Sequence, residues 1–150
     1  MKHYQEQDST QTVREALTEY RLDIPGYFDE ALVGSVSATF FHRHDLCHVI
    51  FGCDTSYLQE GMIDTWTMLG TDVGILNYLR FMRLPEIKQL AKTVDWWEML
   101  RETPRTIVAM VRIYRASRRM TGRWPWQDNT AYMDRRLCDI RRELNIKVLG

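Results

Sequence analysis

The chain reads as an all-α protein, a single domain built as a compact bundle of about six to seven helices. Its apolar residues recur at three- and four-residue spacing rather than in strict alternation. No Asn-Gly or Asp-Gly pair offers a hairpin turn. At 150 residues the chain has the length of one ordinary domain, which buries about 68–70% of its unfolded surface without disulfide staples.

The elements follow in order. A first helix is expected from Ser9 to Leu22, closed by Pro25-Gly26. A second, from Tyr27 to Phe41, leads into residues 44–51, which also read as helical until Gly52-Cys53-Asp54 breaks the run. Ser56, with Gln59 three residues on, has the form of a capping box. It opens a long apolar helix to Met82, carrying Leu58, Ile63, Trp66, Leu69, Val73 and Leu76. Asp64, Asp72 and Arg80 within it exclude a membrane span, which needs about 20 largely uncharged residues. Gly70 and Gly74, four apart, allow a neighbouring helix to approach closely, and Leu84-Pro85 ends the element. Two more helices are expected from Glu86 to Arg101 and from Pro104 to Met120, the latter with proline near its first-turn position. A last helix begins near Asn129. Met133, Leu137, Ile140 and Leu144 form its apolar seam, with Arg135, Arg136, Arg141 and Arg142 off that stripe.

The formal net charge of zero hides a polarised chain. Residues 1–75 hold 4 basic and 12 acidic side chains, and residues 76–150 hold 16 basic and 8 acidic. From Arg105 to Arg123 there are six arginines and no acid, interleaved with apolar residues and followed by Trp124-Pro125-Trp126. Such a basic amphipathic segment fits an anionic membrane surface, with the tryptophans at the interface. The plainer reading is a packed helix whose arginine face pairs with the acidic first half. Nucleic acid is not an expected partner, since the pI is near 6.9 and no binding motif for it appears. Three cysteines, an odd and sparse set, point to a reducing compartment. The polar stretch Met1 to Thr12 has neither a signal-peptide core nor a transit pattern, so a cytoplasmic place is expected, with peripheral contact on the inner face of a membrane.

Chemistry concentrates in His44-Asp45-Leu46-Cys47-His48 and in Glu60, twelve residues beyond His48. On a helix the two histidines share one face. A short turn brings the first turn of the next helix, and with it Glu60, beside them. Asp45 is rotated about 100° from His44, as a fourth ligand or as an acceptor for a metal-bound imidazole; ligand is the preferred role. Two imidazoles with carboxylates suit zinc, manganese or non-haem iron better than calcium. Cys47 is rotated off the histidine face and reads as buried, and His42 as a polar neighbour. The zinc-protease pattern requires Glu directly after the first His, where this chain has Asp45, so peptide hydrolysis drops down the order.

His44, Asp45, His48 and Glu60 match, position for position, the His-Asp-x-x-His-x11-Glu signature of the fourth protein of coenzyme Q (ubiquinone) biosynthesis. The chain resembles that family further at Gly52, at Tyr132-Met133-Asp134-Arg135-Arg136 and at Arg142-Glu143-Leu144, over roughly Phe41 to Val148. Asn145 departs from it, standing where the family has Gly, and both residues tolerate a left-handed helix end. The resemblance implies an all-α, membrane-peripheral, metal-binding protein of ubiquinone synthesis. It implies oxidative decarboxylation of a prenylated aromatic precursor and assembly with other quinone-pathway enzymes, with His44, Asp45, His48 and Glu60 on the metal; the ligand types themselves put zinc first, with iron or manganese as alternatives. A non-catalytic lipid-binding scaffold and a specialised-metabolite enzyme reusing the motif are the competing expectations, and a homo-oligomer is compatible with all three.

Overall fold

The computed structural model describes residues 2–22, 36–85 and 95–149. Six helices and no strand are formed among them: α1 (Val13–Leu22), α2 (Val36–Phe51), α3 (Tyr57–Gly70), α4 (Ile75–Phe81), α5 (Trp96–Ser117) and α6 (Leu137–Glu143). The expected closure at Pro25-Gly26, the part of the second helix at 27–35 and the stretch 86–94 lie outside the described residues.

Helix α2 is apolar on nearly every side, with Phe40, Leu46, Cys47, Val49, Ile50 and Phe51 buried, so it must run through the interior. It packs between α1 and α3, while α5 lies along α3. The close approach of α5 is made at Gly61, where a Cβ would stand 2.7 Å from a methyl of Thr106. Phe51 and Trp66 stack face to face, centroids 4.6 Å apart, and the Phe51 ring rests where a Cβ on Gly70 would be. Gly70 is therefore a packing glycine, as its spacing predicts. Gly74 instead has φ +73° and starts α4, with open space around it.

The long helix expected from Ser56 to Met82 is two helices. Thr71 is extended and forms an isolated bridge with Trp124. Trp124 N–H donates to the Gly70 carbonyl, Asp72 N–H donates to Trp124, and Trp126 N–H donates to the Asp72 carboxylate at 2.7 Å. The break is thus made by a strap from far along the chain. Trp124 and Trp126 are buried in doing so, so neither is placed as an interfacial aromatic.

The two helices expected around Pro104 are likewise one. Asp95 caps α5 by accepting from Trp97 N–H and Glu98 N–H, and the helix then runs 22 residues with Pro104 in its interior. Proline leaves the Leu100 carbonyl without its usual donor, and packing along α3 holds the helix through that gap. At the C-terminus, a 3-10 turn over Thr130–Tyr132 precedes α6, so the last helix starts later than expected. Its seam of Leu137, Ile140 and Leu144 is buried. Asn145 has φ +51°, the left-handed helix end anticipated at that position.

Arg141 departs most from expectation. It is fully buried rather than off the stripe, and donates to the carbonyls of Val49, Ile50, Tyr4 and Glu6. The carbonyls of Val49 and Ile50 belong to the last turn of α2, where no further helical N–H is available. One guanidinium therefore ties the end of α2 to the N-terminal segment.

Candidate metal centre

His44 and His48 lie in the last two turns of α2, and Glu60 in the first turn of α3. Between them Gly52 turns the chain at φ +73°. The capping box expected at Ser56 does not form: Ser56 makes no side-chain cap bond. Gln59 instead accepts from Asp54 N–H at 2.8 Å, while Asp54 accepts from Ser56 N–H at 2.9 Å. The expected consequence nevertheless holds, because one ligand atom from each of His44, His48 and Glu60 lies within 4.8 Å of the others.

His48 is enclosed completely. Its Nδ1 donates to the Cys53 carbonyl at 3.2 Å, which leaves Nε2 as a bare acceptor. That atom is buried without a hydrogen-bond partner and stands 3.6 Å from Glu60 Oε1. Burial, then the nearby His44, holds the imidazole well below its ordinary pKa and therefore neutral. A neutral ring with one nitrogen anchored and the other unpaired is the form in which histidine binds metal. Both rings are also held in plane: Tyr20 stacks on His48, centroids 4.9 Å apart, and Phe40 stacks on His44 at 5.8 Å.

Glu60 is half-buried, and burial pushes its carboxyl up to about 7 despite the opposing pull of His44. Burial works against charge on His44, but Asp64, Glu60 and Asp45 outweigh it and raise its pKa. The site therefore holds protons near neutrality that a cation would displace.

Asp45 lies outside the trio. Its buried carboxylate accepts from Arg21 Nε and a terminal nitrogen at 3.1 and 3.0 Å, and Arg21 also donates to His42 Nδ1 at 2.9 Å. The rotation of one residue along the helix turns it towards α1 rather than α3. The ligand role preferred for it from the sequence, and implied by the resemblance, has no counterpart in this geometry. The thiols lie outside the trio too: both are buried, and neither sulfur converges with the donors of His44, His48 and Glu60; burial pushes Cys47 up to about 12 and raises Cys53 further. Cys53 serves the site through its carbonyl.

The residue that spacing missed is Asp64. Its Oδ1 lies 3.5 Å from His44 Nε2 and accepts from the Tyr78 hydroxyl at 2.5 Å. The signal was present in the sequence, since Glu60 and Asp64 are four apart just as His44 and His48 are. Burial, reinforced by Asp64, raises the Tyr78 pKa, so that hydroxyl stays a donor.

Among the described residues no helix is long and apolar enough to cross a membrane. Comparisons of the chain with known protein families, with curated proteins and with solved structures find no match.

Proposed function

We propose that this protein binds a divalent cation, zinc by donor preference or iron where the reaction with dioxygen requires a redox-active ion, and acts in prenylquinone biosynthesis by oxidative decarboxylation of a polyprenylated aromatic acid. The observation that carries the metal is the buried, unpartnered His48 Nε2 facing Glu60 and His44. The substrate class rests on the resemblance carried by His44, Asp45, His48 and Glu60. A bound cation supplies Lewis-acid stabilisation of charge on a carboxylate or phenol oxygen. The protein's own groups set the rest. His48 stays neutral and fixed by Cys53, His44 is positioned by Phe40, and the walls of Tyr20 and Phe40 limit water around the donors. Ile75, Leu76 and Leu79 are exposed on α4, the helix whose Tyr78 reaches Asp64, and offer an apolar track for an isoprenoid tail. In balance, the ring acid, dioxygen, two electrons and two protons from an external reductant give the phenol, carbon dioxide and water.

The test is elemental analysis followed by turnover. Protein purified without added metal is expected to carry a stoichiometric divalent ion, and His44→Ala and His48→Ala to lose it. Metal-restored protein with a carboxylated prenylphenol, dioxygen and reductant is expected to release carbon dioxide. Absence of release, together with intact quinone production in a Glu60→Ala strain, rejects the catalytic reading.

A second reading, a lipid-binding scaffold that meets quinone-pathway enzymes or a membrane, is favoured by α5. Trp96, Trp97, Leu100, Ile107, Val108, Val111 and Tyr114 are exposed there, Trp97 by 82%. Flotation with anionic and neutral liposomes tests it, and equal, negligible binding to both removes the membrane.

A further inference from the structure

Helices α2 and α3 run side by side in opposite senses, and each presents two potential donors one turn apart. His48 Nε2 faces Glu60 Oε1 at 3.6 Å, and His44 Nε2 faces Asp64 Oδ1 at 3.5 Å. These four side chains make two rungs of a ladder. Both rungs are too long for good hydrogen bonds. At metal–ligand bonds of about 2.0–2.2 Å, however, the donors of a tetrahedral site stand roughly 3.3–3.6 Å apart. Each rung thus has the length of one tetrahedral edge; the donors of His44, His48 and Glu60 converge within 4.8 Å, and Asp64 joins them through the His44 rung, outside that converged trio.

We infer that Asp64 is the fourth ligand of this centre, in the position that the sequence motif assigns to Asp45, and that Tyr78 is the positioning residue that aims it. This rests on the reading of His44, His48 and Glu60 as a metal site. Two further observations support it. His48 Nε2 is a buried acceptor with no partner within the protein, which a cation between the helices would satisfy. The Tyr78 hydroxyl, itself buried, fixes Asp64 Oδ1 on the side facing His44, whereas Asp45 is committed to Arg21. Asp64 keeps 43% of its side-chain surface exposed, while His48 has none. Asp64 is consequently the ligand at the mouth of the site and the one that an incoming oxygen donor would displace. A closed set of four gives way there to an open set of three.

Cobalt(II) titration of the full chain, followed by visible absorption and by competition with a chromophoric chelator, tests this. Wild-type protein is expected to give the intense bands of four-coordinate cobalt. Asp64→Asn is expected to bind roughly 10-fold or more weakly, with weaker and shifted bands, and Tyr78→Phe about 10-fold more weakly, as loss of a residue that orients a ligand does. His48→Ala is expected to abolish binding. Circular dichroism melts show whether each variant is folded, and Tyr78→Phe, which removes a single oxygen, keeps the question open to measurement if Asp64→Asn is not. Wild-type affinity and band shape in Asp64→Asn would overturn the role of Asp64 while leaving the three-residue site standing. Failure of wild-type protein to bind cobalt would overturn both.

Discussion

His48 donates its Nδ1 proton to the backbone carbonyl of Cys53, five residues on, across the turn that Gly52 makes. The bond selects the tautomer whose Nε2 is free, and it uses the main chain of Cys53 rather than its sulfur. Cys53→Ser is therefore expected to retain metal stoichiometry, whereas His48→Ala loses it. Inductively coupled plasma analysis of both variants checks this, and loss of metal from Cys53→Ser would return the thiol to the ligand set.

The proton inventory of the site gives a pH dependence. Glu60, raised to about 7, and His44, also raised, must release protons to bind a cation. Metal affinity is expected to fall as pH drops below about 7, by up to tenfold per unit for each proton displaced. In the metal-free protein the signs oppose one another. Glu60 has a raised folded pKa, so its contribution to stability is present below the ordinary value of 4.5 and is lost as pH rises through about 7. His48 has a lowered one, so its contribution is present above 6.5 and is lost as pH falls. The increase in melting temperature on adding zinc should grow between about pH 5.5 and pH 8. A metal-induced shift independent of pH would contradict protonated Glu60 and His44 in the free site.

Arg141 predicts a large stability effect away from the site. Replacing it by Leu leaves the Val49, Ile50 and Tyr4 carbonyls without this donor, while the Glu6 carbonyl keeps its bond from Ser9 N–H. Each such loss costs about 1–3 kcal/mol where water cannot enter. Arg141→Leu is expected to lose on the order of 3 kcal/mol or more in denaturant unfolding, and Arg141→Lys, with one ammonium for four acceptors, to recover part of that. A loss below about 0.5 kcal/mol, the range of ordinary surface changes, would mean that the four bonds contribute little.

Two glycines with the same backbone angle should respond differently to alanine. Gly52 and Gly74 both have φ +73°, but a Cβ on Gly52 would meet Val148 Cγ1 at 2.8 Å, and one on Gly74 would meet nothing within 4 Å. Gly74 has φ +73° and ψ 152°, a region essentially confined to glycine, so Gly74→Ala is expected to cost about 1–3 kcal/mol from the backbone alone. Gly52→Ala adds a steric clash with Val148, so repacking at Val148 by Val148→Ala is expected to relieve part of its cost in thermal melts and none of that of Gly74→Ala; equal rescue of both would remove the clash from the account.

The parts of this protein that could be read from its sequence are those fixed by neighbours along the chain. His44 and His48 share a face because four residues make about one turn, and Glu60 follows a short break, so their meeting is local. Asn145 could be expected at a left-handed helix end for the same reason. What stayed hidden depends on distant residues. Gly70 and Gly74 permit a break between Ser56 and Met82 but read equally as packing glycines within one helix; the bridge from Trp124 to Thr71 decides for the break. Pro104 resembles a helix start until α3 is there to hold the helix on both sides of it. Arg141 looks like a solvated arginine until Tyr4 and Glu6 bring their carbonyls to it. Asp45 and Asp64 were separable only by knowing which neighbour each faces, Arg21 or Tyr78.

The strap at Trp124 and Trp126 has a further consequence for the order in which the centre matures. His44, His48, Glu60, Asp64 and Tyr78 all leave the ribosome before the strap does, yet the strap shapes the break that separates α3 from α4 and so sets where Tyr78 stands relative to Asp64. A nascent chain can assemble its histidines and Glu60 early, from contacts close in sequence. The bond between Tyr78 and Asp64 waits for the C-terminal third, so a chain truncated before Trp124 would lack the contacts that set that carboxylate.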